Sequence, residues 1–295
     1  FASGAGLVGY WQFDEATGVA AGDASGSGNN GTLVNGASWG AGHSGSAVYF
    51  DGINDYVDFL SPSSLDNLSQ KTIAGWIYPT SAGEMNQGRI LDKGQGSTVG
   101  WFFSLCSNNA IGCSGNPNTL LYVHQFTSGG GKWRTGPNVI VLNAWNHVAV
   151  TYDSGSAANA PVFYVNGIAA GTTAVNTPSG SSKDEAQNKI TLGSRTSGDV
   201  TFNGGMDDVR VYNHILSPQE IWDLYAGTST PDTEAPSAPT GLAATPVSSL
   251  EINLSWNAAI DNVGVTGYTI YRCTGDSCAP DAEVGSVSGT SFSNT

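Results

Sequence analysis

Residues 145–167 read WNHVAVTYDSGSAANAPVFYVNG, and this stretch decides the fold class. Val148, Val150 and Tyr152 fall on one face of an extended chain, and the residues between them fall on the other. A second apolar run follows at 162–165 and ends at Asn166-Gly167, a dipeptide that favours tight turns. The stretch therefore predicts two β-strands and no helix.

Short strand-like runs recur along the rest of the chain. They include residues 7–13, 47–50, 56–59, 72–78, 100–105, 120–126, 189–192 and 206–212. The chain has 40 Gly and only 12% charged residues, a composition typical of short strands joined by tight turns. We expect an all-β fold, an antiparallel two-sheet sandwich or jelly roll. One helix is predicted after Ser217-Pro218, where Glu220 completes a capping box.

The chain is strongly acidic. Its 10 Lys and Arg residues against 24 Asp and Glu residues give a formal net charge of −14. This charge repels nucleic acid and anionic membrane surfaces, so neither is an expected partner. No run approaches the ~20 apolar residues of a membrane span, so membrane insertion is not expected either. The chain begins with Phe1 instead of Met, which suggests a processed or trimmed start.

Four cysteines form two close pairs, Cys106 with Cys113 and Cys273 with Cys278. No His lies near either pair in the sequence, which argues against a zinc site. We expect two local disulfides, each worth roughly 2 kcal/mol of stability on the chain-entropy estimate. Because disulfides persist in oxidising compartments, we predict a secreted protein, extracellular or at the cell surface.

Several segments resemble, in the same order, the bacterial laminin-G-like, concanavalin-A-like lectin domain family. The segments are GLVGYWQFDEATG with the following DASGSGNNGTLVNGASW, then VYFDGINDYVDF, KTIAGWIYP, WNHVAVTYD with FYVNG, and FNGGMDDVRVYNHILSPQEIWDLYAG. The resemblance implies a two-sheet antiparallel jelly roll over residues 1–227 and a carbohydrate-binding role. Residues 84–140 depart most from the family, and ligand-specific loops would lie there.

A Pro/Ser/Thr-rich linker, residues 228–239, is expected to follow this domain. Residues 240–295 resemble the first strands of a fibronectin type III domain, with Trp256 as the core tryptophan and Tyr268 and Tyr271 beside it. A complete domain of that type has about seven strands. This chain ends after about five, so we expect an incomplete fibronectin type III-like domain.

The laminin-G-like resemblance also implies a structural calcium ion. Asp23 and Asn29 lie in a Gly- and Ser-rich loop, and oxygen-rich loops supply ligands for hard cations. Asp207 is expected to share the core face of the closing strand, where a buried carboxylate needs a cation or several donors. We predict that calcium joins Asp23, Asn29 and Asp207. The alternative is an Asx-turn loop, with Asp207 paired with Arg210 or Arg195.

The sequence carries no familiar catalytic motif. Its glutamates lack the closely spaced carboxylates of glycoside hydrolases on this fold, and neither G-x-S-x-G nor H-E-x-x-H occurs. A polysaccharide lyase would need a Tyr or His base beside Lys or Arg. Tyr122, His124, Lys132 and Arg134 are the one set of that kind in the sequence, and structural roles are the favoured interpretation for them.

The predicted ligand-binding face lies in the divergent middle and consists of Trp101, Tyr122, His124, Trp133 and Arg134. Sugars stack their C–H surfaces on aromatic rings, and polar groups bind their hydroxyls. Core packing is the alternative for each of the five residues. Structural roles are predicted for three other tryptophans: Trp76 and Trp145 in the core, and Trp222 in docking the helix.

Taken together, these features favour a secreted, non-catalytic glycan-binding module that keeps a larger extracellular protein on a polysaccharide. Two alternatives come from other functional classes. One is a structural or adhesive module that binds other protein chains at the cell surface. The other, less favoured, is a polysaccharide lyase or hydrolase domain with unfamiliar catalytic residues. Binding to a glycan screen with and without a chelator would separate these possibilities.

Overall fold

The computed structural model describes residues 6–94, 98–110, 112–227, 236–248, 251–261, 265, 267–273, 280 and 282–294. The chain divides into two compact units. The larger unit is Leu7–Ser229, and the smaller one contains Thr230–Thr295.

Seventeen strands lie in the described part of the larger unit. They are β1 (Leu7–Trp11), β2 (Ala20–Ala21), β3 (Gly31–Val34), β4 (Ser38–Ala41), β5 (Ser46–Asp51), β6 (Tyr56–Asp58), β7 (Gln70–Pro79), β8 (Gln87–Lys93), β9 (Trp101–Cys106), β10 (Thr119–His124), β11 (Gly131–Arg134), β12 (Asn146–Asp153), β13 (Val162–Val165), β14 (Ile168–Ala170), β15 (Thr173–Asn176), β16 (Ile190–Leu192) and β17 (Asn203–Tyr212). The predicted strand pair of residues 145–167 corresponds to β12 and β13, which form an antiparallel pair.

Two antiparallel sheets form the sandwich. The eight-stranded sheet has the order β14-β13-β12-β7-β17-β5-β4, with β1 also paired to β17. The nine-stranded sheet has the order β15-β11-β10-β9-β8-β16-β6-β3-β2. Because β1 pairs with β17, the first and last strands of the unit are neighbours. The prediction of an all-β, two-sheet antiparallel jelly roll is confirmed.

The hydrophobic core lies between the two sheets. Alternate residues of each strand point inward, as the period of two requires. Ile73, Val148 and Val150 of the eight-stranded sheet belong to the same buried cluster as Phe103 and Leu120 of the nine-stranded sheet. Each fully buried side chain of this size stabilises the fold by roughly 1.5–3 kcal/mol.

Helix α1 (Pro218–Ala226) begins at the predicted capping box. The Ser217 hydroxyl accepts a hydrogen bond from the Glu220 backbone N–H, and a Glu220 carboxylate oxygen accepts one from the Ser217 N–H. The helix ends at Gly227, whose φ of 64° is left-handed. Ile221 is fully buried and packs with Tyr212 and its neighbours on the outer face of the eight-stranded sheet.

A disulfide joins Cys106 to Cys113 and closes the loop that follows β9. Both cysteines pack with Phe102 and Leu121 on the outer face of the nine-stranded sheet. This predicted pairing is confirmed. Cys273 is also in a disulfide, but its predicted partner, Cys278, lies outside the described residues.

The smaller unit contains five described strands. They are β18 (Thr240–Pro246), β19 (Ile252–Asn257), β20 (Tyr268–Arg272), β21 (Ala282–Val287) and β22 (Ser291–Asn294). Three form a sheet in the order β18-β19-β22, and β20 pairs with β21. The Trp256 ring lies edge-on to the Tyr268 ring at 5.3 Å between centroids, whereas Tyr271 is exposed. Residues 228–235 of the predicted linker lie outside the described residues.

Candidate functional site

Three of the predicted ligand-binding rings lie inside the sandwich. Trp101, Tyr122 and Trp133 sit on the neighbouring strands β9, β10 and β11 and are 1%, 0% and 2% exposed. All three point inward. The ring centroid of Tyr152, in the opposite sheet, lies 5.3 Å from that of Tyr122 and 5.2 Å from that of Trp133. Their faces are covered by other rings, so an exposed stacking surface has to come from other residues.

The remaining two predicted ligand-binding residues lie apart from each other. His124 is 2% exposed, and its Nε2 is 2.7 Å from the Ser182 hydroxyl. Burial and the nearby charge of Lys71 lower the pKa of His124 to about 3, so its ring is neutral. Arg134 is half-buried on the opposite face of the nine-stranded sheet and donates to the Thr135 carbonyl. The five predicted residues therefore do not form one binding face.

The same alternation divides the set considered for lyase chemistry. Lys132 and Arg134 flank Trp133 on β11, and Trp133 points into the core, so both cations project from the outer face. Tyr122 and His124 point into the sandwich from β10, where both are buried. The sheet separates the would-be base from the would-be cations, and the set cannot act on one substrate.

Charged groups are buried beside these rings at one end of the sandwich. Lys71 is 1% exposed, and its Nζ lies 5.8 Å from the centre of the Trp101 ring. Lys93 is 0% exposed, and its Nζ is 2.7 Å from Asp66 and 3.3 Å from Glu185. The Trp101 indole N–H donates to the other Glu185 oxygen at 3.3 Å. Trp101 therefore orients a buried carboxylate.

A cavity of about 400 Å³ opens at this end of the sandwich. We call it the end cavity; it is lined by Asn67, Leu68, Ser69, Ser154, Gly155, Gly180, Ser181, Ser182, Lys183, Asp184 and Glu185. Its wall is tied to the interior because Ser182 contacts His124 and Glu185 contacts Trp101. Two of the predicted binding residues thus support the end cavity from behind.

The predicted calcium ligands Asp23 and Asn29 form a closed hydrogen-bonded loop. The Asp23 carboxylate accepts from the backbone N–H groups of Tyr10, Ser25 and Asn29 and from the Ser25 hydroxyl. The Asn29 amide donates to the Val8 carbonyl, and its oxygen accepts from Ser64. This arrangement matches the Asx-turn alternative, and it leaves the Asp23 carboxylate little capacity to bind a cation.

Asp207, the third predicted ligand, lies on the outer face of the eight-stranded sheet. In the register between β17 and β7, Asp207 lies opposite Trp76 and Arg210 lies opposite Ala74. Strand β17 therefore holds one extra residue between these two positions. This β-bulge moves Asp207 away from the core face that the sequence pattern predicted. Its Oδ2 accepts from the Ser44 N–H at 3.0 Å. Neither predicted arginine contacts it: Arg210 pairs with Asp208, and Arg195 pairs with Asp199.

The three predicted ligands do not fit one calcium ion in this arrangement. No described contact joins Asp207 to Asp23 or Asn29. Within the described ranges, no three His, Cys, Asp or Glu side chains gather as metal ligands. Calcium binding by the folded chain stays a prediction, and a melting curve with and without chelator tests it.

Asp207 makes the stability depend on pH. Its Oδ1 is buried without a donor among the described residues, and burial raises the pKa of this carboxyl to about 7. An acid whose pKa is higher in the folded state destabilises the fold as pH rises from about 4 to about 7. In chelator, we expect Asp207→Asn to melt above wild type at about pH 8 and to lose that advantage at about pH 4.

Differential scanning calorimetry at the two pH values measures this effect. A variant that melts below wild type at both values would contradict it. Added calcium gives a second comparison, because a cation at Asp207 would raise the melting temperature of wild type and leave that of Asp207→Asn unchanged.

An exposed aromatic surface lies close to Asp207, on the outer face of the eight-stranded sheet. Tyr78 of β7, Tyr49 of β5 and Trp145 just before β12 lie side by side across the strands and are each half-buried. The Tyr78 and Trp145 ring centres are 5.5 Å apart. A Cβ on Gly205 would lie 2.9 Å from Tyr49 and 3.2 Å from Trp145. Both rings therefore rest on the bare backbone of Gly205.

His43 extends this surface. Its ring is exposed and stacks on the buried Trp76 ring, with centroids 3.5 Å apart and planes 11° from parallel. The His43 ring also meets Trp145 edge-on at 6.2 Å. We call the group of His43, Tyr49, Tyr78 and Trp145 the aromatic platform. The Tyr49 hydroxyl donates to the Ala41 carbonyl at 2.8 Å, which fixes that ring in place.

Sequence reasoning missed the aromatic platform. Trp145 was predicted to be core, but it precedes β12 and faces outward. Trp76 is buried as predicted, though beneath His43 and not between the sheets. Gly204-Gly205 is a dipeptide typical of turns, yet it lies inside β17. A glycine within a strand, beside aromatic residues, was the available signal.

Comparison with known proteins identifies the family. Residues 50–222 match the family model of the Concanavalin A-like lectin/glucanases superfamily. The chain belongs to this superfamily. No comparison identifies a fibronectin type III domain in the smaller unit. No helix in the described residues is both long and apolar enough to cross a membrane.

Curated relatives of this superfamily member match over short segments. Exoglucanase B of Cellulomonas fimi is 46% identical over 69 residues, which are 23% of this chain and 6% of that protein. Chitinase Chi52 of Paenibacillus xylanexedens is 53% identical over 45 residues, 15% of this chain and 9% of that protein. The chain thus spans less than a tenth of the length of either relative.

Solved structures share the fold at low sequence identity. The binding domain of botulinum neurotoxin DC in complex with SialylT superposes with a TM-score of 0.54 and 13% identity. The superposition covers 96% of this chain and 70% of that domain. At this level of identity the likeness shows the concanavalin A-like fold alone.

Proposed function

We propose that the jelly roll is a non-catalytic glycan-binding module and that the aromatic platform is its contact surface. The observation that carries the proposal is the row of Tyr49, Tyr78 and Trp145, three half-buried rings on the outer sheet face, two of which, Tyr49 and Trp145, lie over Gly205. Sugar rings present C–H faces that pack on aromatic rings, and the amphipathic rings of Tyr and Trp suit such a contact.

The position of the platform supports this role. Its rings are fixed before any ligand arrives, by the sheet backbone, by the stack of His43 on Trp76 and by the hydrogen bond from Tyr49 to Ala41. A preorganised surface loses little conformational freedom on binding, so more of the contact energy contributes to affinity.

The relatives favour a role beside polysaccharide-degrading enzymes. An exoglucanase and a chitinase contain segments similar to parts of this chain, and a structural neighbour is described as a binding domain in complex with SialylT. We infer that a glycan holds this module, and through it a larger extracellular protein, at a surface. The smaller unit would then be a fibronectin type III-like spacer.

The proposal predicts that loss of one platform ring weakens glycan binding. Trp145→Ala and Tyr78→Ala are each expected to raise the dissociation constant about fivefold to tenfold, because a lost stack costs roughly 1–1.4 kcal/mol. Affinity electrophoresis through gels containing hydroxyethyl cellulose or glycol chitin measures the change.

Tyr56→Ala is the matched control. Tyr56 is a half-buried tyrosine of β6, on the nine-stranded sheet, and its removal should leave affinity unchanged. Wild-type retention by Trp145→Ala and Tyr78→Ala, with both variants folded, would overturn the assignment of the platform. Absence of retention for wild type across a full glycan screen would overturn the proposed function itself.

A further inference from the structure

The buried Lys93 amine is held between two carboxylates, that of the buried Glu185 and that of the partly exposed Asp66. Lys93 is the last residue of β8, and its side chain is fully buried. Its Nζ lies 2.7 Å from Asp66 Oδ1 and 3.3 Å from Glu185 Oε2, and it also donates to the Asn188 carbonyl. The amine nitrogen and the Asp66 carboxyl are thus joined by a direct, charge-assisted hydrogen bond.

Three separate segments fix this geometry. Asp66 ends the short 3-10 turn Ser63–Leu65, and Leu65 anchors that turn in the core. The Glu185 backbone N–H donates to the Asn67 side chain at 3.0 Å, and the indole of Trp101 binds the Glu185 carboxylate. Asp66 and Glu185 are therefore each positioned by contacts other than the one to Lys93.

We propose that Lys93 and Asp66 join in an intramolecular amide bond, with Glu185 as the group that transfers the proton. Glu185 takes a proton from the Lys93 ammonium, and the neutral nitrogen attacks the Asp66 carboxyl carbon. The new C–N bond forms, Glu185 passes that proton and then a second one from the attacking nitrogen to one carboxyl oxygen, and the bond from the carbon to that oxygen breaks. An ammonium and a carboxylate thus become an amide and one water molecule, with no oxidant or reductant.

Burial favours this reaction in three ways. Holding amine and carboxyl in contact turns a bimolecular step into an intramolecular one. Condensation removes the fully buried positive charge of Lys93, which is costly to desolvate, together with the charge of Asp66, whose side chain is 19% exposed. Desolvation raises the pKa of Glu185, which makes it a better carrier of the proton. The end cavity, lined by Asn67 and Glu185, gives the released water a way out.

The test is the mass of the purified chain, reduced and denatured. The proposal expects a mass lower than the sequence mass by one water molecule. It also expects a branched tryptic peptide that joins the segments of Asp66 and Lys93, with no cleavage after Lys93. A chain of full sequence mass would overturn it. So would a linear peptide in which Asp66 alone has lost water, because that marks a succinimide.

Two variants locate the chemistry. Glu185→Gln keeps an oxygen for the Trp101 indole and removes the proton carrier, so the branched peptide should fall at least tenfold. Lys93→Arg keeps a buried cation beside Asp66 and cannot form the bond, so it should show full sequence mass. Circular dichroism confirms that each variant folds. Undiminished branching in folded Glu185→Gln would refute the role of Glu185.

Discussion

Replacement of Arg89 by Met is expected to lower the free energy of unfolding by about 3–5 kcal/mol at about pH 8, because it leaves a buried carboxylate without its partner. Arg89 is 3% exposed and Asp92 is 1% exposed, and the Arg89 Nε lies 2.8 Å from Asp92. The guanidinium also stacks on Phe102, 3.4 Å from the ring centre. Urea unfolding of wild type and variant measures the loss.

The loss should depend on pH. Burial raises the pKa of Asp92 to about 6, and the Arg89 charge opposes this rise. Without Arg89 the pKa of Asp92 rises further, so the carboxyl accepts a proton on moderate acidification and the buried charge disappears. An acid with a raised folded pKa destabilises the fold as pH rises through that pKa. The cost of Arg89→Met should therefore shrink toward about pH 4.

Two further variants interpret the result. Arg89→Met with Asp92→Leu removes both charges, and it should recover most of the lost stability. Lys189→Met breaks the ion pair of Lys189 with Asp58, whose charged atoms are 2.6 Å apart and whose lysine side chain is 46% exposed. This change should lower the free energy of unfolding by less than about 1 kcal/mol. Equal costs for the exposed and buried pairs would contradict the argument.

The strands and the helix were predictable because their signals are local. Alternation at Val148, Val150 and Tyr152 follows from the pleat of a single strand, and the cap at Ser217 involves residues three apart. The pairing of Cys106 with Cys113 is local as well. Such patterns identify an element without information about what packs against it.

The site was less predictable because its residues depend on which face of a sheet is covered. Alternation places Trp101 and Tyr122 on faces, but it does not say that these faces turn inward. Trp145 lies next to β12 and turns outward, onto Gly205 of a strand sixty positions away in the chain. The bulge beside Asp207 places this side chain on the opposite face of the sheet from the predicted one. The alternation of apolar and polar residues in the sequence does not indicate this bulge. Which face of a strand is buried depends on the tertiary structure.

The second large effect on stability is expected from the buried charge of Lys71. Lys71 is 1% exposed, and its Nζ has no hydrogen-bond acceptor among the described residues. Desolvation lowers the pKa of Lys71 to about 8, although Glu185 and Asp153 oppose the change. Below about pH 8 the folded protein therefore holds an ammonium in an apolar setting at a cost on the order of 3 kcal/mol.

Lys71→Met removes the charge and keeps an unbranched side chain that is one atom shorter. We expect the free energy of unfolding of this variant to be about 1–3 kcal/mol higher than that of wild type near neutral pH. The reason is that an apolar side chain packs against Trp101 and Tyr152 without a desolvation penalty. The unfolded state binds more protons than the folded state between about pH 8 and pH 10, so wild type gains stability there. The advantage of the variant should shrink over that range.

Lys183→Met is the control, because Lys183 is partly exposed at the rim of the end cavity and donates to the Thr98 carbonyl. Its removal should change stability by less than about 0.5 kcal/mol at every pH. Urea unfolding of both variants across the pH range gives the comparison. A Lys71→Met variant less stable than wild type near neutral pH would show that the Lys71 ammonium stabilises the fold, and a pH-independent difference would show that its proton is not linked to folding.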